Sequence, residues 1–146
     1  MASTTNPINN TRTLTFREAE KYYESKIAYQ SGKYEGVALE NNTRLVKRGD
    51  SYAVKLHSTY VVVLHPDGSS EIRTGGWQST TTKNRINKYS PHASIVQVDW
   101  AWYIGGGPKH GGTLYGEAKE WTPGYGNVRF RPDGTLDTEN EELQPA

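Results

Sequence analysis

Five short segments rich in β-branched and aromatic residues are the feature that most constrains the fold of this chain. Turn-forming residues, which adopt turn geometry at little cost, separate most of them: Asn41-Asn42, Gly49-Asp50, Pro66-Asp67-Gly68 and Gly75-Gly76. This punctuation predicts a small antiparallel sheet of about five strands, over Tyr34–Leu39, Arg44–Lys47, Tyr52–His57, Tyr60–His65 and Ser70–Thr74.

Two helices are predicted beside this sheet. Thr15 and Glu18 have the spacing of a capping box. Apolar residues then recur at helical intervals until Gly32, which predicts an N-terminal amphipathic helix with Phe16, Ala19, Tyr23 and Ile27 on its apolar side. A short basic helix, capped by a threonine, is predicted over Thr80–Lys88, before Pro91. The fold class is therefore α+β.

The rest of the chain is predicted to complete a single domain over residues 15–134. Ile95–Ile104 alternates as a strand does, with Trp100 and Trp102 in phase, and Gly105–Gly112 reads as a loop or lid. The segments 64–68 and 130–134 share a Pro-Asp-Gly turn and are interpreted as two hairpins built on one turn type. We expect a flexible N-terminal segment over residues 1–14.

Charge is unevenly distributed along the chain. The 17 Lys and Arg residues against 16 Asp and Glu give a net charge of +1, which argues against stable binding to long nucleic acid. Between Arg44 and Lys88, however, eight basic residues face three acidic ones, a net of +5. From Thr135 onward four acidic residues face no Lys or Arg, so residues 135–146 are predicted to be a disordered tail that solubilises the chain or shields a basic site.

Several function classes are disfavoured by what the sequence lacks. The chain has no cysteine, which excludes a disulfide scaffold, a thiol nucleophile and a cysteine zinc site. Its longest apolar run, Val61–Leu64, is far shorter than the roughly 20 residues that span a bilayer, and no signal-peptide core opens the chain, so we expect a cytosolic protein without a membrane partner. Carboxylates are sparse in the basic middle and no nucleotide-fold motif occurs, so we expect no metal and no cofactor.

The basic middle concentrates residue types that face phosphates. Alternation along a strand would place Lys55 and His57 on one face, joined by Thr59 if the strand continues past Ser58. Two imidazoles with nearby cations suffice for phosphodiester cleavage without a metal, because one accepts the proton of the attacking hydroxyl and the other protonates the leaving oxygen. The candidate catalytic residues are therefore His57, Thr59 and His65.

The candidate phosphate- and nucleotide-binding residues are Lys55, Trp77, Thr81, Lys83 and Arg85. The threonines before Lys83 lie at a predicted helix N-terminus, whose free amides bind anions whether or not catalysis follows. Trp77 would stack on a base, although such a residue is more often part of a core or lip. In the same way, a strand histidine is more often structural than catalytic, and His65 would serve equally to cap its turn.

Several ordered blocks carry a resemblance that covers residues 41–90. His57-Ser58-Thr59, Gly75-Gly76-Trp77 and residues 81–87, which read Thr-Thr-Lys-Asn-Arg-Ile-Asn, resemble a family of small proteins encoded by tailed bacteriophages. This resemblance implies a phage product that acts in the bacterial host cytoplasm, where phage accessory proteins of this size often counter host defence by cleaving or sequestering cyclic-nucleotide immune signals. The His-Ser-Thr block is also similar to the His-x-Thr element of two-histidine phosphoesterases. Those enzymes use two such blocks, so a second catalytic histidine here would be His65, His92 or His110.

Three functions follow as hypotheses. The first is a metal-independent phosphodiesterase that cleaves a small cyclic nucleotide immune signal, with His57 as acid or base. The second is a protein that binds and sequesters such a nucleotide without cleaving it. The third is a phage structural or host-protein-inhibiting protein whose aromatic residues form an interface. Formation of a homo-oligomer would be compatible with each of them.

Overall fold

The computed structural model describes residues 14–30, 32–74, 79–98, 101–105, 119–120, 128–134 and 137. The predicted flexible segment 1–14 and acidic tail 135–146 lie outside these ranges except for Leu14 and Asp137. The helices are α1 (Phe16–Lys26) and α2 (Thr80–Tyr89). The strands are β1 (Val37–Glu40), β2 (Thr43–Arg48), β3 (Ser51–Leu56), β4 (Thr59–Leu64), β5 (Ser70–Ile72), β6 (Ser94–Val98), β7 (Ala101–Gly105), β8 (Lys119–Glu120) and β9 (Val128–Phe130).

The strands form two antiparallel sheets. The larger sheet has six strands in the order β1-β2-β3-β4-β5-β9, and the smaller has the order β6-β7-β8. The predicted α+β class is confirmed. The larger sheet exceeds the predicted five strands because β9, distant in sequence, pairs with β5 through Ser70 opposite Phe130.

The capping box of α1 is confirmed. The hydroxyl of Thr15 accepts from the backbone N–H of Glu18 at 3.2 Å, and the carboxylate of Glu18 accepts from the N–H of Thr15 at 3.0 Å. The helix ends at Lys26 and continues as a 3-10 turn over Ile27–Tyr29, so it is shorter than predicted. Ile27 and Tyr29 are exposed, and no buried face extends the helix toward Gly32.

The main core lies between the helices and one face of the larger sheet. Strand residues on that face contribute to it, together with both helices and β7. Examples are Leu45, Val54, Val62, Ile72, Ala19, Ile86 and Trp102. The opposite face of the sheet, which we call the open face, carries a small apolar cluster of Val46, Ala53 and Val63. Neither described helix contributes to this second cluster, so the polar side chains around it are available to form a site.

Three local predictions need correction. Ile95–Ile104 is not one strand but the β6–β7 hairpin, in which Val98 pairs with Ala101. The strand predicted from Tyr34 begins at Val37, and the cap of α2 is Ser79, whose hydroxyl accepts from the N–H of Thr82 at 3.1 Å. Trp100 and the part of the predicted loop after Gly105 lie outside the described residues.

The shared Pro-Asp-Gly turn is confirmed. The N–H of Gly68 donates to the carbonyl of His65 at 3.0 Å, and the N–H of Gly134 donates to that of Arg131 at 2.8 Å. Because β9 pairs with β5, the two turns lie at the same end of the sheet. A Cβ atom on Gly68 would stand 3.3 Å from Pro132.

Candidate functional site

Two clefts lie on the open face. The first, the Lys55 cleft, has a volume of about 430 Å³ and is lined by Tyr34, Glu35, Glu40, Asn42, Thr43, Arg44, Lys55 and His57. The second, the His65 cleft, has a volume of about 450 Å³, and its lining includes Arg48, Ser51, Tyr60, His65, Glu71 and Arg73. Glu35 lines both clefts, so the two are neighbours on one surface.

Strand register explains why cations collect in the Lys55 cleft. Arg44 in β2 lies directly opposite Lys55 in β3, on the same face as the pair Val46 and Ala53. Like charges directly opposite each other destabilise an antiparallel sheet unless an anion compensates them.

In the described structure, that compensation comes from the loop before β1. The carboxylate of Glu35 accepts from the Lys55 ammonium at 2.9 Å, and the carbonyl of Gly36 accepts from the Arg44 guanidinium at 2.9 Å. The hydrogen bond with Glu35 raises the pKa of Lys55, so this side chain stays charged at neutral pH. The Glu35 side chain is 53% exposed, so another anion can compete with it for Lys55.

His57 is at the rim of this cleft, but not by the predicted route. The strand ends at Leu56, and His57 begins a two-residue turn with a φ of 55°, so it does not follow Lys55 by strand alternation. Its N–H donates to the carbonyl of Asn42 at 3.0 Å, which joins this turn to the β1–β2 turn. Left-handed backbone is uncommon for residues other than glycine, although Asn and His adopt it more readily than most. His57 and Lys55 therefore share a cleft because two turns meet.

Thr59 does not join them on the open face, so the placement predicted by strand alternation past Ser58 is wrong. It lies directly opposite Leu56, which belongs to the main core, and cross-strand partners share a face of the sheet. Because the chain reverses at His57-Ser58, Thr59 is on the helix side and Tyr60 takes the position opposite Lys55.

His65 is the centre of the second cleft. Its Nδ1 lies 2.7 Å from the Ser51 hydroxyl and its Nε2 lies 2.7 Å from a Glu71 carboxylate oxygen. The other Glu71 oxygen accepts from the Arg73 guanidinium at 3.0 Å. The Glu71 side chain is only 6% exposed. Burial by itself raises the pKa of Glu71, but the hydrogen bonds from His65 and Arg73 outweigh it and hold that pKa below its ordinary value.

The two candidate histidines are far apart. His57 precedes β4 and His65 follows it, so the six residues of that strand separate them. At about 3.3 Å per residue, this spacing amounts to roughly 20 Å. The two imidazoles therefore do not meet at one phosphate as acid and base.

The other histidines do not supply that second group within the described residues. His92 is buried, and its Nδ1 lies 2.8 Å from the Ser70 hydroxyl. Its ring also packs near Phe130 with the centroids 6.2 Å apart, which is the environment of a structural histidine. His110 lies outside the described residues.

The α2 residues predicted to hold phosphate are elsewhere. The Arg85 guanidinium donates to the Thr43 hydroxyl at 2.8 Å and pairs with Glu40, and its side chain is 16% exposed. Lys83 donates to Gln97 at 3.2 Å, and Thr81 is exposed in the first turn. None of the three is among the described residues that line the two clefts.

Arg85 nonetheless supports the Lys55 cleft from behind, because Thr43 and Glu40 both line that cleft. Lys88 and the Tyr89 hydroxyl also donate to Glu40. Burial raises the pKa of Glu40, but the hydrogen bonds from Tyr89 and Lys88 outweigh it and lower that pKa. Trp77, the predicted stacking residue, lies outside the described residues.

Most cleft residues were not predicted as site residues, among them five that make the contacts described above: Glu35, Arg44, Ser51, Glu71 and Arg73. Alternation in the predicted strands would have placed Arg44 and Lys55 on the face away from the core. It would also have placed Glu71 and Arg73 there, because they flank the core residue Ile72. The pairing of strands determines which other groups these side chains contact, and no short sequence pattern predicts that pairing.

Neither a cluster of metal-ligating side chains nor a membrane-spanning helix occurs among the described residues. No three His, Cys, Asp or Glu side chains converge there in a way that would hold a metal ion. No helix in that part of the chain has the length and apolar character to span a membrane.

Comparison with known protein families gives a match over most of the chain. A family model described as Kyanoviridae Gp96 protein matches residues 17–127, which is 111 of the 146 residues. The match contains both clefts and the whole of residues 41–90, on which the resemblance to tailed-phage proteins rests. No curated protein and no solved structure matches the chain.

Proposed function

Since the chain belongs to the Kyanoviridae Gp96 protein family, a bacteriophage family, we propose that it is a phage protein that binds a small nucleotide through its phosphate in the Lys55 cleft. One observation carries this proposal. Arg44 and Lys55 lie directly opposite each other, and the compensating carboxylate comes from a half-exposed loop residue. A phosphate would interact with both cations at once in place of Glu35, and charge-assisted hydrogen bonds are stronger than neutral ones.

The dimensions and the wall of the cleft support a nucleotide more than a bare ion. Its volume of about 430 Å³ lies in the range of small-molecule sites. The ring of Tyr34 is 58% exposed, and the Arg44 guanidinium lies 5.4 Å from its centroid. An exposed aromatic ring beside a cation is a surface on which a base stacks, at about 1–3 kcal/mol per base.

Sequestration is a better fit to this cleft than cleavage. The predicted phosphodiesterase needs a second imidazole at the phosphate, and the nearest candidate in the sequence, His65, lies at the other end of β4. His57 alone can bind or orient a phosphate. We therefore favour a protein that holds a cyclic nucleotide immune signal intact, and counteraction of host defence is the role that we propose for it.

The test is retention of intact ligand. The purified protein is incubated with cyclic dinucleotides, cyclic ADP-ribose isomers and short RNA in the presence of EDTA, and the filtered and heat-denatured samples are compared by chromatography. We expect one nucleotide to be retained and released unchanged on heating. Lys55→Ala should weaken its binding roughly ten- to hundredfold, because a hydrogen bond to a charged group contributes about 1.5–3 kcal/mol.

Lys26→Ala is the matched control, since it removes the same charge from the exposed end of α1. Equal binding by the two variants would refute the assignment to the Lys55 cleft. A smaller product in place of the intact nucleotide would refute sequestration in favour of cleavage. If no compound is retained or changed, the nucleotide proposal is wrong and protein partners become the next subject of search.

A further inference from the structure

The three residues at the centre of the His65 cleft lie in, or directly after, three neighbouring strands. Tyr52 pairs with Leu64, the last residue of β4, so His65, which follows that strand, comes opposite Ser51. Glu71 in β5 is opposite Val63 and therefore shares the open face with them. Ser51 and Glu71 both contact the imidazole at 2.7 Å, one at each ring nitrogen.

These contacts define the direction of the hydrogen bonds. The buried Glu71 carboxylate can only accept, so Nε2 of His65 carries the proton that is donated to it. In the neutral ring Nδ1 then has a free lone pair, which accepts from the Ser51 hydroxyl. The Asp50 carboxylate is a weaker competitor for that hydroxyl, at 3.5 Å against 2.7 Å.

We propose that Ser51 is a nucleophile activated by His65 and Glu71, and that the His65 cleft takes a phosphate ester. A hydroxyl, an imidazole and a carboxylate in one hydrogen-bonded line are the components of the serine hydrolase triad, which is recognised by geometry and roles. The two ring nitrogens exchange partners relative to that triad, but each group keeps its role.

The charge of the cleft indicates the substrate class. Arg48 lies 4.1 Å from the centroid of the Tyr60 ring, and Arg73 donates to Glu71 at the other side of the cleft. Arg48 and Arg73 both line the cleft, so a phosphorus atom bound there would lie near two guanidinium groups, which stabilise the charge that develops during transfer.

The step is balanced within the site. Ser51 Oγ forms a bond to phosphorus while its proton passes to His65 Nδ1, and the bond from phosphorus to the ester oxygen breaks. His65 returns the proton to that departing oxygen, which leaves as an alcohol. Water then attacks the phosphorus of the phosphoserine while His65 Nδ1 takes its proton. The bond from phosphorus to Ser51 Oγ breaks, phosphate leaves, and His65 returns the proton to Ser51 Oγ.

This inference goes beyond nucleotide binding and does not depend on it. The ligand of the Lys55 cleft need not be the ester that reacts at Ser51, because the two clefts have different linings apart from Glu35. A probe that reacts with an activated serine irrespective of nucleotide affinity therefore tests it separately.

The probe is diisopropyl phosphorofluoridate, which phosphorylates an activated serine with loss of fluoride. We expect intact-protein mass spectrometry to show one diisopropylphosphoryl adduct, and peptide mapping to place it on Ser51. Ser51→Ala should abolish the adduct, and His65→Ala should slow labelling roughly 10³-fold or more, as loss of the base does in serine hydrolases. Hydrolysis is then measured with bis(4-nitrophenyl) phosphate as substrate, from the 4-nitrophenolate that is released.

Two controls keep the test specific. Ser25→Ala removes a hydroxyl on α1 that donates to a backbone carbonyl, so it should be labelled like the wild type. Lys26→Ala, which removes an exposed charge from the end of α1, should also be labelled normally. A wild-type protein that resists labelling, or an adduct that persists in Ser51→Ala, would overturn the inference and leave the Ser51–His65 contact a structural one.

Discussion

Gly36 holds the loop that covers the Lys55 cleft, and its replacement by alanine should be among the most damaging changes of a single methyl group in this chain. Its φ is +72°, and a Cβ atom built there would lie 2.2 Å from the Leu45 carbonyl oxygen and 2.7 Å from the Val46 side chain. Both neighbours belong to β2, which lies between β1 and β3 in the larger sheet, and both are fully buried. The nearest contact is with backbone, so the movement of a side chain cannot relieve it.

The magnitude follows from two effects. An L-residue in left-handed backbone costs about 1–2 kcal/mol, and forcing extra volume into packed structure costs about 1–3 kcal/mol more. We expect Gly36→Ala to lower the free energy of unfolding by roughly 2–5 kcal/mol. With an m-value of about 2 kcal/mol/M, a loss near 3 kcal/mol shifts the urea midpoint by about 1.5 M.

Gly49→Ala separates the two effects. Gly49 has a φ of +64°, but nothing lies within 4 Å of a Cβ atom there, so only the backbone effect remains. Urea unfolding of both variants, followed by tryptophan fluorescence, should place Gly49→Ala between the wild type and Gly36→Ala, with similar slopes. If the two variants lose equal stability, the close approach of Gly36 to β2 is not a real constraint.

Two further predictions concern stability. Thr15→Ala removes the N-cap of α1 and should lower the free energy of unfolding, measured in urea, by about 1 kcal/mol. Thr81→Ala, at an exposed position, should change it by no more than about 0.5 kcal/mol. Equal losses in the two variants would contradict the role of the cap. The pKa of Glu71 is lower in the folded state than in the unfolded state, where it is near 4.5. The stabilisation due to ionised Glu71 is therefore complete above the unfolded-state pKa and is lost as the pH falls through the folded-state pKa. The stability of the wild type should therefore fall more steeply than that of Glu71→Gln below about pH 5, and parallel pH profiles would refute this.

The fold was predictable where one short stretch of sequence contains both partners of an interaction. The capping box involves two residues three positions apart, and the alternation of Leu45 with Val46 determines which face each one occupies. For the same reason, the two Pro-Asp-Gly turns were predicted correctly.

The candidate site was predicted only in part, because it depends on pairings that no local pattern records. The His57-Ser58 turn contains neither glycine nor proline, and Thr59 continues the β-branched pattern as though the strand ran on. The register shift between Val54 and Lys55 then places Tyr60, instead of Val61, opposite Lys55. Ser51 and Glu71 are twenty positions apart in sequence and meet at His65 only because β4 pairs with both of their strands.

Glu35 provides the most direct test of the reasoning about the Lys55 cleft, because it gives a prediction of increased affinity. If its carboxylate occupies the position of a ligand phosphate, then Glu35→Gln should strengthen binding of the retained nucleotide. An exposed ion pair contributes about 0.2–1 kcal/mol, so the gain should be roughly 1.4- to 5-fold.

Glu24→Gln is the matched control for this gain. It makes the same change in net charge from an exposed position on α1, which packs on the other face of the sheet, and it should leave the affinity unchanged. Titration calorimetry at low salt, where exposed charges are least screened, gives the comparison its greatest sensitivity. Equal gains in both variants would mean that overall charge attracts the ligand, and a loss of affinity in Glu35→Gln would mean that the carboxylate positions Lys55 for the ligand instead of competing with it.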